Sequence, residues 1–184
     1  MTAAIYGIEA AGFFGLAHRL ATLPVSQIAR AVADVTQMQM AEAVRNKDGV
    51  KVERLFWFVI KRLFLFSIVP FLAFALLAPS LAGPILGEKW AETGILLALI
   101  SPWLLGQTVV GPVTRILNIV QRQQLHLVYN FLSIIFIGVT WYLAVRFELS
   151  LREYTALLAG LLAVSYIPYL GLCLYAVRKW KAEL

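Results

Sequence analysis

Four long stretches without a charged side chain most constrain how this chain folds. They cover residues 63–86, 94–113, 127–145 and 154–177, each about twenty residues long. Because a helix rises about 1.5 Å per residue, about twenty apolar residues cross the hydrocarbon core of a bilayer. The chain is 61% hydrophobic and 14% charged, whereas soluble domains are roughly 45–50% apolar and 25% charged. The sequence therefore predicts an integral membrane protein.

A fifth stretch, residues 12–32, is a more polar candidate span. It places His18, Arg19 and Arg30 among residues that otherwise suit hydrocarbon. With this stretch included, we expect an all-α fold, a polytopic membrane helix bundle of about five transmembrane helices. A single membrane domain covers residues 1–184, and its predicted spans lie at roughly 10–40, 56–82, 93–118, 126–146 and 154–177.

The lysines and arginines predict how the chain is oriented in the membrane. Of the sixteen, eleven flank the spans on one side, three flank them on the other, and the remaining two are Arg19 and Arg30. Loops rich in Lys and Arg stay in the cytoplasm, so the N-terminus is expected outside and the C-terminus inside. This placement explains the net charge of +6 without a nucleic-acid partner, and none is expected.

The polar side chains of the first span are predicted to form one stripe. At 100° per residue, Arg19 and Arg30 lie about 20° apart on a helix and about 16 Å apart along its axis. Ser26 and Gln37 lie within about 20° of Arg19. Charged groups inside a membrane face protein or water. Two interpretations of the stripe are therefore open. In the structural one, Arg19 pairs with a carboxylate or carbonyl elsewhere in the protein and Arg30 extends to the cytoplasmic membrane interface. In the functional one, the stripe is a cationic wall that binds an anionic substrate.

The third span repeats this pattern with uncharged groups. Gln107, Gly111, Thr114 and Asn118 lie within about 60° of one another if the helix is straight. Together with Arg19, Arg30 and Ser26, the side chains of Gln107, Thr114 and Asn118 are the candidate substrate-binding groups of a polar cavity. For His18 a packing role is favoured.

Catalytic chemistry finds little support in this sequence. It contains no HExxH, CxxC, GxSxG or phosphate-binding GxxxxGK[ST] motif. Its single cysteine, Cys173, lies within the last predicted span, so no disulfide framework is expected. We expect no catalytic residues, no metal site and no cofactor, and the protein is not expected to be an enzyme.

Three ordered motifs resemble bacterial oligosaccharide flippases of the Wzx type. "AGFFGLAHRLATLPVSQIARAV" (residues 11–32) resembles the start of a helix in the second half of such transporters. "ILGEKWAETG" (85–94) is similar to an outer loop, and "SPWLLGQTVVGPVTRILNIVQRQQ" (101–124) to the following helix and inner turn. The resemblance covers nearly the whole chain in the expected order.

The resemblance implies membership of the polysaccharide biosynthesis proteins within the multidrug/oligosaccharidyl-lipid/polysaccharide exporter superfamily. Such proteins move polyprenyl-pyrophosphate-linked sugar repeat units across the bacterial cytoplasmic (inner) membrane for O-antigen (lipopolysaccharide), capsule or exopolysaccharide synthesis. It implies a lipid-linked oligosaccharide as substrate, membrane lipids as surroundings, and a polysaccharide polymerase with its chain-length machinery as partners. Arg19 and Arg30 would face a central cavity and meet the pyrophosphate or acidic sugars.

The length of the chain departs from this family. Its five predicted spans resemble most of the second lobe of a two-lobe flippase, so we expect a fragment that lacks an N-terminal lobe. Two alternatives remain open at the level of the sequence. One is a multidrug-type exporter of the same superfamily, although its cation-accepting lobe would be expected to carry acidic residues. The other is a non-transporting membrane assembly partner.

Overall fold

The structure is a computed structural model that describes residues 2–183, without the side chains of residues 24, 25 and 28. The described part is 92% helical and has no strand, which confirms the predicted all-α class. A 3₁₀ turn at Glu88–Trp90 precedes α3. The helices are α1 (Thr2–Arg45), α2 (Gly49–Leu86), α3 (Ala91–Thr114), α4 (Ile116–Ile119), α5 (Gln124–Arg146) and α6 (Leu151–Ala182).

Four helical segments of the described chain are long and apolar enough to cross a membrane. They are Gly49–Leu86, Glu88–Ile119, Gln124–Arg146 and Leu151–Ala182, and they make the chain a multi-pass membrane protein. Helix α1, which is kinked at Gly7 (φ 85°, ψ 174°), has the length but not the apolar composition of such a segment. Its membrane crossing therefore stays a prediction.

Short polar motifs set the ends of two membrane helices. The sequence Asn46-Lys47-Asp48 forms the turn between α1 and α2, where Lys47 has a φ of 55°. The Asp48 carboxylate accepts a 2.8 Å hydrogen bond from the Lys51 backbone N–H and so caps α2. Ser150 and Glu153 form a reciprocal capping box at the start of α6. These caps start both helices several residues before the predicted spans.

Helix α3 lies at the centre of the bundle and packs against α1, α2 and α6, whereas α5 packs mainly against α6. Gly94 brings α3 close to α2, because a Cβ at this position would collide with the carbonyl oxygen of Ala78. On the other side, α1 presents the fully buried alanines Ala17 and Ala21 to the core. Small side chains therefore let both neighbours approach α3 closely.

Ion pairs tie the helix ends together at both ends of the bundle. Arg152 makes two hydrogen bonds, of 2.8 and 2.6 Å, to the Glu92 carboxylate and so joins α6 to α3. At the opposite end Glu53 of α2 accepts from Arg178 (3.2 Å) and Lys181 (2.9 Å) of α6. These contacts join α6 to α3 at one end of the bundle and to α2 at the other.

Candidate substrate cavity between α1 and α3

An open polar cavity of about 480 Å³ lies between α1 and α3. Alanine, leucine, glycine and proline residues separate its polar groups. The polar side chains that line it are His18, Thr22, Ser26 and Arg30 from α1 and Gln107, Thr108 and Arg115 from α3 and its C-terminal end.

Helical spacing explains why α1 contributes four polar groups to one wall. His18, Thr22, Ser26 and Arg30 follow one another at intervals of four residues, so they form a continuous, slowly turning row. The buried Ala17 and Ala21 lie on a different side of α1, so the polar row faces the cavity. The His18 ring also packs on Trp103 of α3, with 5.7 Å between the ring centroids.

A hydrogen-bonded arginine closes one end of the cavity. Nη1 of Arg115 lies 2.6 Å from Oδ1 of Asp34 and 3.0 Å from Oε1 of Gln37. Both acceptors belong to α1, so this contact joins α1 to the C-terminal end of α3. A guanidinium has five N–H donors, and the two bonds from Nη1 leave the Nε and Nη2 donors of Arg115 for a ligand.

The cavity hydroxyls are oriented by their own helices. Thr22 donates to the carbonyl of His18 (2.7 Å), and Thr108 donates to that of Leu104 (2.8 Å). Ser26 donates more weakly to the carbonyl of Leu23, at 3.2 Å. With their protons engaged, these oxygens can only accept from a ligand. The wall therefore combines hydroxyl acceptors with cationic guanidinium donors, and the amide of Gln107 supplies both.

Three of the six predicted binding residues meet in this cavity, namely Ser26, Arg30 and Gln107. Arg19 lies on the exposed face of α1 next to the cavity but is not part of its lining. Thr114 donates to the carbonyl of Gly111 (2.7 Å), and Asn118 is exposed on α4. Neither of these two lines the cavity.

The spacing of residues along α3 explains which of its side chains meet at the cavity. Gln107, Gly111 and Arg115 follow one another at intervals of four residues, so Arg115 lies on the row that Gln107 begins. Helix α3 ends at Thr114, the next residue, Arg115, keeps helical backbone angles (φ −60°, ψ −21°), and α4 begins at Ile116. Thr114 and Asn118 are outside the described lining, and their binding role stays a prediction.

The predicted binding residues did not include four polar groups of the lining, His18, Thr22, Thr108 and Arg115. Thr108 is adjacent to Gln107 in the sequence, and Arg115 follows Gln107 and Gly111 at intervals of four residues. This is the same spacing that forms the α1 wall, so it is the signal that could have indicated Arg115. The described residues contain no group of three His, Cys, Asp or Glu side chains arranged to hold a metal ion.

Comparison with known proteins gives the family. No curated protein and no solved structure matches the chain. The family model described as "Polysaccharide biosynthesis protein" matches residues 1–95, just over half of the chain. The matched part contains α1, α2 and the first residues of α3, including the α1 wall of the cavity. The chain therefore belongs to the polysaccharide biosynthesis protein family.

Proposed function

We propose that this protein takes part in moving polyprenyl-pyrophosphate-linked oligosaccharide repeat units across the bacterial cytoplasmic membrane during surface polysaccharide synthesis. The observation that carries the proposal is the cavity between α1 and α3, in which Arg30 and Arg115 lie beside hydroxyl and amide groups. This cavity belongs to a multi-pass member of a polysaccharide biosynthesis family. A polyprenyl-pyrophosphate-linked sugar has an anionic pyrophosphate, which guanidinium groups can bind, and sugar hydroxyls, which hydroxyl and amide groups can bind.

The cationic groups suit the pyrophosphate. Guanidinium groups match phosphate oxygens with two parallel hydrogen bonds and stay charged at any physiological pH. Arg115 is already oriented by Asp34 and Gln37, so little side-chain freedom is lost when it binds an anion. Arg30 lines the same cavity from the opposite helix. An anionic group between them would be held from both walls.

The uncharged groups suit the sugars. Hydroxyl-rich ligands need partners that accept as well as donate hydrogen bonds. Thr22, Ser26 and Thr108 supply oxygens whose own protons are engaged by helix carbonyls. Gln107 has an amide that can do both, and it is exposed at the cavity wall. This arrangement supports the carriage of a glycan.

The same lining supports transport rather than bond cleavage. General acid–base chemistry on sugars uses a pair of carboxyl groups, roughly 5–9.5 Å apart. Among the described residues that line this cavity there is no Asp or Glu, and the nearby Asp34 is bound to Arg115. We propose that the protein is not an enzyme. In this proposal the N-terminus lies outside, and the translocated lipid-linked unit is passed to a polysaccharide polymerase and its chain-length machinery.

The proposal is tested by complementation in a strain that lacks its repeat-unit flippase, using the complete reading frame that encodes this chain. Arg30→Ala should abolish surface polysaccharide at wild-type protein level, and Arg30→Lys should retain part of it. Loss of a charge-assisted hydrogen bond, worth about 1.5–3 kcal/mol, corresponds to a roughly ten- to hundredfold weaker interaction. Arg146→Ala is the matched control, since Arg146 is exposed at the far end of α5.

The outcomes separate the candidate functions. Restoration by wild type and by Arg146→Ala, with failure of Arg30→Ala, supports translocation through the cavity. If Arg30→Ala also restores polysaccharide, Arg30 has no role in substrate binding and the cavity proposal is refuted. If the well-expressed wild-type protein does not restore surface polysaccharide, a non-transporting assembly partner or a multidrug-type exporter is favoured over a flippase.

A further inference from the structure

One exposed face of α2 changes from cationic to apolar along the helix. Its N-terminal part carries cations around an aromatic ring, namely Lys51, Arg54, Phe58, Lys61 and Arg62, all of them exposed. Its following part is apolar and consists of Leu65, Val69, Leu72 and Leu76, each more than half exposed. On a helical wheel these residues lie within about 100° of one another. We call this surface the α2 outer face.

The core of the bundle lies on the opposite side of α2. The buried residues of the N-terminal part include Val52, Phe56, Val59 and Leu63. They lie about 140° from the centre of the outer face on the helical wheel. Glu53, which precedes Arg54 in the sequence, accepts hydrogen bonds from two cations of α6. The outer face is therefore directed away from the rest of the bundle.

The cations of the outer face have no acidic partner among the described side chains. The ion pairs of these side chains do not include Lys51, Arg54, Lys61 or Arg62. The guanidinium of Arg62 instead lies over the exposed ring of Phe58, with 5.0 Å between Cζ and the ring centroid. This cation–π contact holds the guanidinium beside the helix, and its N–H donors can bind an oxygen ligand.

Two features indicate that Lys61 and Arg62 lie at the membrane surface. Residues 63–86, directly after them, have no charged side chain, and such a helix is roughly 36 Å long, enough for a hydrocarbon core of about 30 Å. Trp57 lies about one turn before Lys61, is partly exposed, and belongs to a residue type enriched at membrane interfaces. The outer face therefore presents cations to lipid headgroups and apolar side chains to acyl chains.

We infer that the α2 outer face binds an anionic phospholipid, with its phosphate at Lys61 and Arg62 and its acyl chains along Leu65 and Val69. Clusters of Lys and Arg next to a membrane helix attract anionic lipids. Phosphatidylcholine carries an ammonium group of its own, which the same cations repel, so the face prefers phosphatidylglycerol. This lipid is a ligand in addition to any transported substrate, and its binding does not depend on the proposed function.

The test measures lipid binding to the purified chain in detergent by native mass spectrometry. The probes are phosphatidylglycerol and phosphatidylcholine with identical acyl chains, and inorganic phosphate serves as a competitor. Lys61→Gln/Arg62→Gln removes the two cations at the phosphate position. Arg45→Gln/Lys47→Gln is the matched control, because it removes the same charge from exposed residues at the same end of the bundle but outside the outer face. Lys61→Arg/Arg62→Lys keeps both charges.

The expected result is a preference for the anionic lipid that depends on two residues. Wild type should bind phosphatidylglycerol roughly thirtyfold more tightly than phosphatidylcholine, as expected from two cations near a lipid phosphate. Lys61→Gln/Arg62→Gln should remove most of this preference and leave phosphatidylcholine binding unchanged, which also shows that the variant is folded. The control and the variant that keeps both charges should retain the preference, and inorganic phosphate should not displace the lipid.

Other results overturn the inference in distinguishable ways. If Lys61→Gln/Arg62→Gln keeps the full preference, or wild type has none, the outer face does not bind the anionic lipid. If inorganic phosphate displaces phosphatidylglycerol at equal concentration, the face is a general phosphate site. If wild type forms a dimer that the variant abolishes, the face is an interface between two copies of the chain. The proposed function stands in each case, because the outer face does not line the polar cavity.

Discussion

Replacing Gly94 by alanine tests the close contact of α2 and α3. An ideal Cβ at Gly94 would collide with the carbonyl oxygen of Ala78 and lie 2.6 Å from Cβ of Ala82. The first obstacle is backbone, which cannot rotate away as a long side chain would. The two helices must therefore separate or slide. Overpacking of this kind typically costs about 1–3 kcal/mol.

The higher helix propensity of alanine offsets part of this cost. In water alanine is favoured over glycine by about 1 kcal/mol, but membrane helices retain their backbone hydrogen bonds when they separate, so the offset is smaller here. We expect Gly94→Ala to lower the free energy of unfolding by about 1–2 kcal/mol, measured by detergent-induced unfolding in lipid–detergent micelles. Gly160→Ala is the control, because a Cβ there meets no heavy atom within 4 Å. If Gly94→Ala is as stable as Gly160→Ala, the two helices do not approach as described.

Two further predictions concern helix ends and use the same unfolding assay. Ser150→Ala removes the capping box with Glu153 and should lower the free energy of unfolding by about 1 kcal/mol; an unchanged value would show that α6 starts without this cap. A double-mutant cycle with Glu92→Gln and Arg152→Gln should give a small favourable coupling that decreases with added salt, because Arg152 is exposed to solvent. A coupling near zero at low salt would show that the two-bond geometry of this exposed pair contributes nothing.

The helices were predictable because membrane insertion depends on a local property. A run of about twenty apolar residues is visible in the sequence wherever the rest of the chain lies. Hydropathy marks the part of a helix that lies in hydrocarbon, however, and not where the helix begins. α2 starts at Gly49, seven residues before the predicted span at 56, because Asp48 caps it in the aqueous region. The predicted span bounds concern only the part of each helix in hydrocarbon and stay a prediction.

The cavity was only partly predictable, because two of its features depend on tertiary contacts. The helical wheel placed Ser26 and Arg30 on one face, and both line the cavity. The contact of Arg115 with Asp34 joins residues 81 positions apart, and no periodicity in the sequence indicates such a pair. The packing of the His18 ring on Trp103 of α3 likewise joins residues that are far apart in the sequence.

The exposed surface of the bundle divides into two chemical classes, and this division supports a polar path along α1. Along the charge-free stretches 63–86 of α2 and 127–145 of α5, most exposed side chains are large and apolar, for example Phe64 and Leu65 on α2 and Phe131 on α5, as expected where lipid is the neighbour. On α1 the exposed residues include Arg19 and Arg30, and a charged side chain in hydrocarbon costs about 2.5–3.5 kcal/mol or more. If α1 crosses the membrane as the sequence predicts, this face requires water, protein or an anionic ligand beside it. Arg19 and Arg30 lower the mean hydropathy of α1 below that of an ordinary membrane span. The same two charges make α1 suitable for lining the path of an anionic substrate, as proposed above.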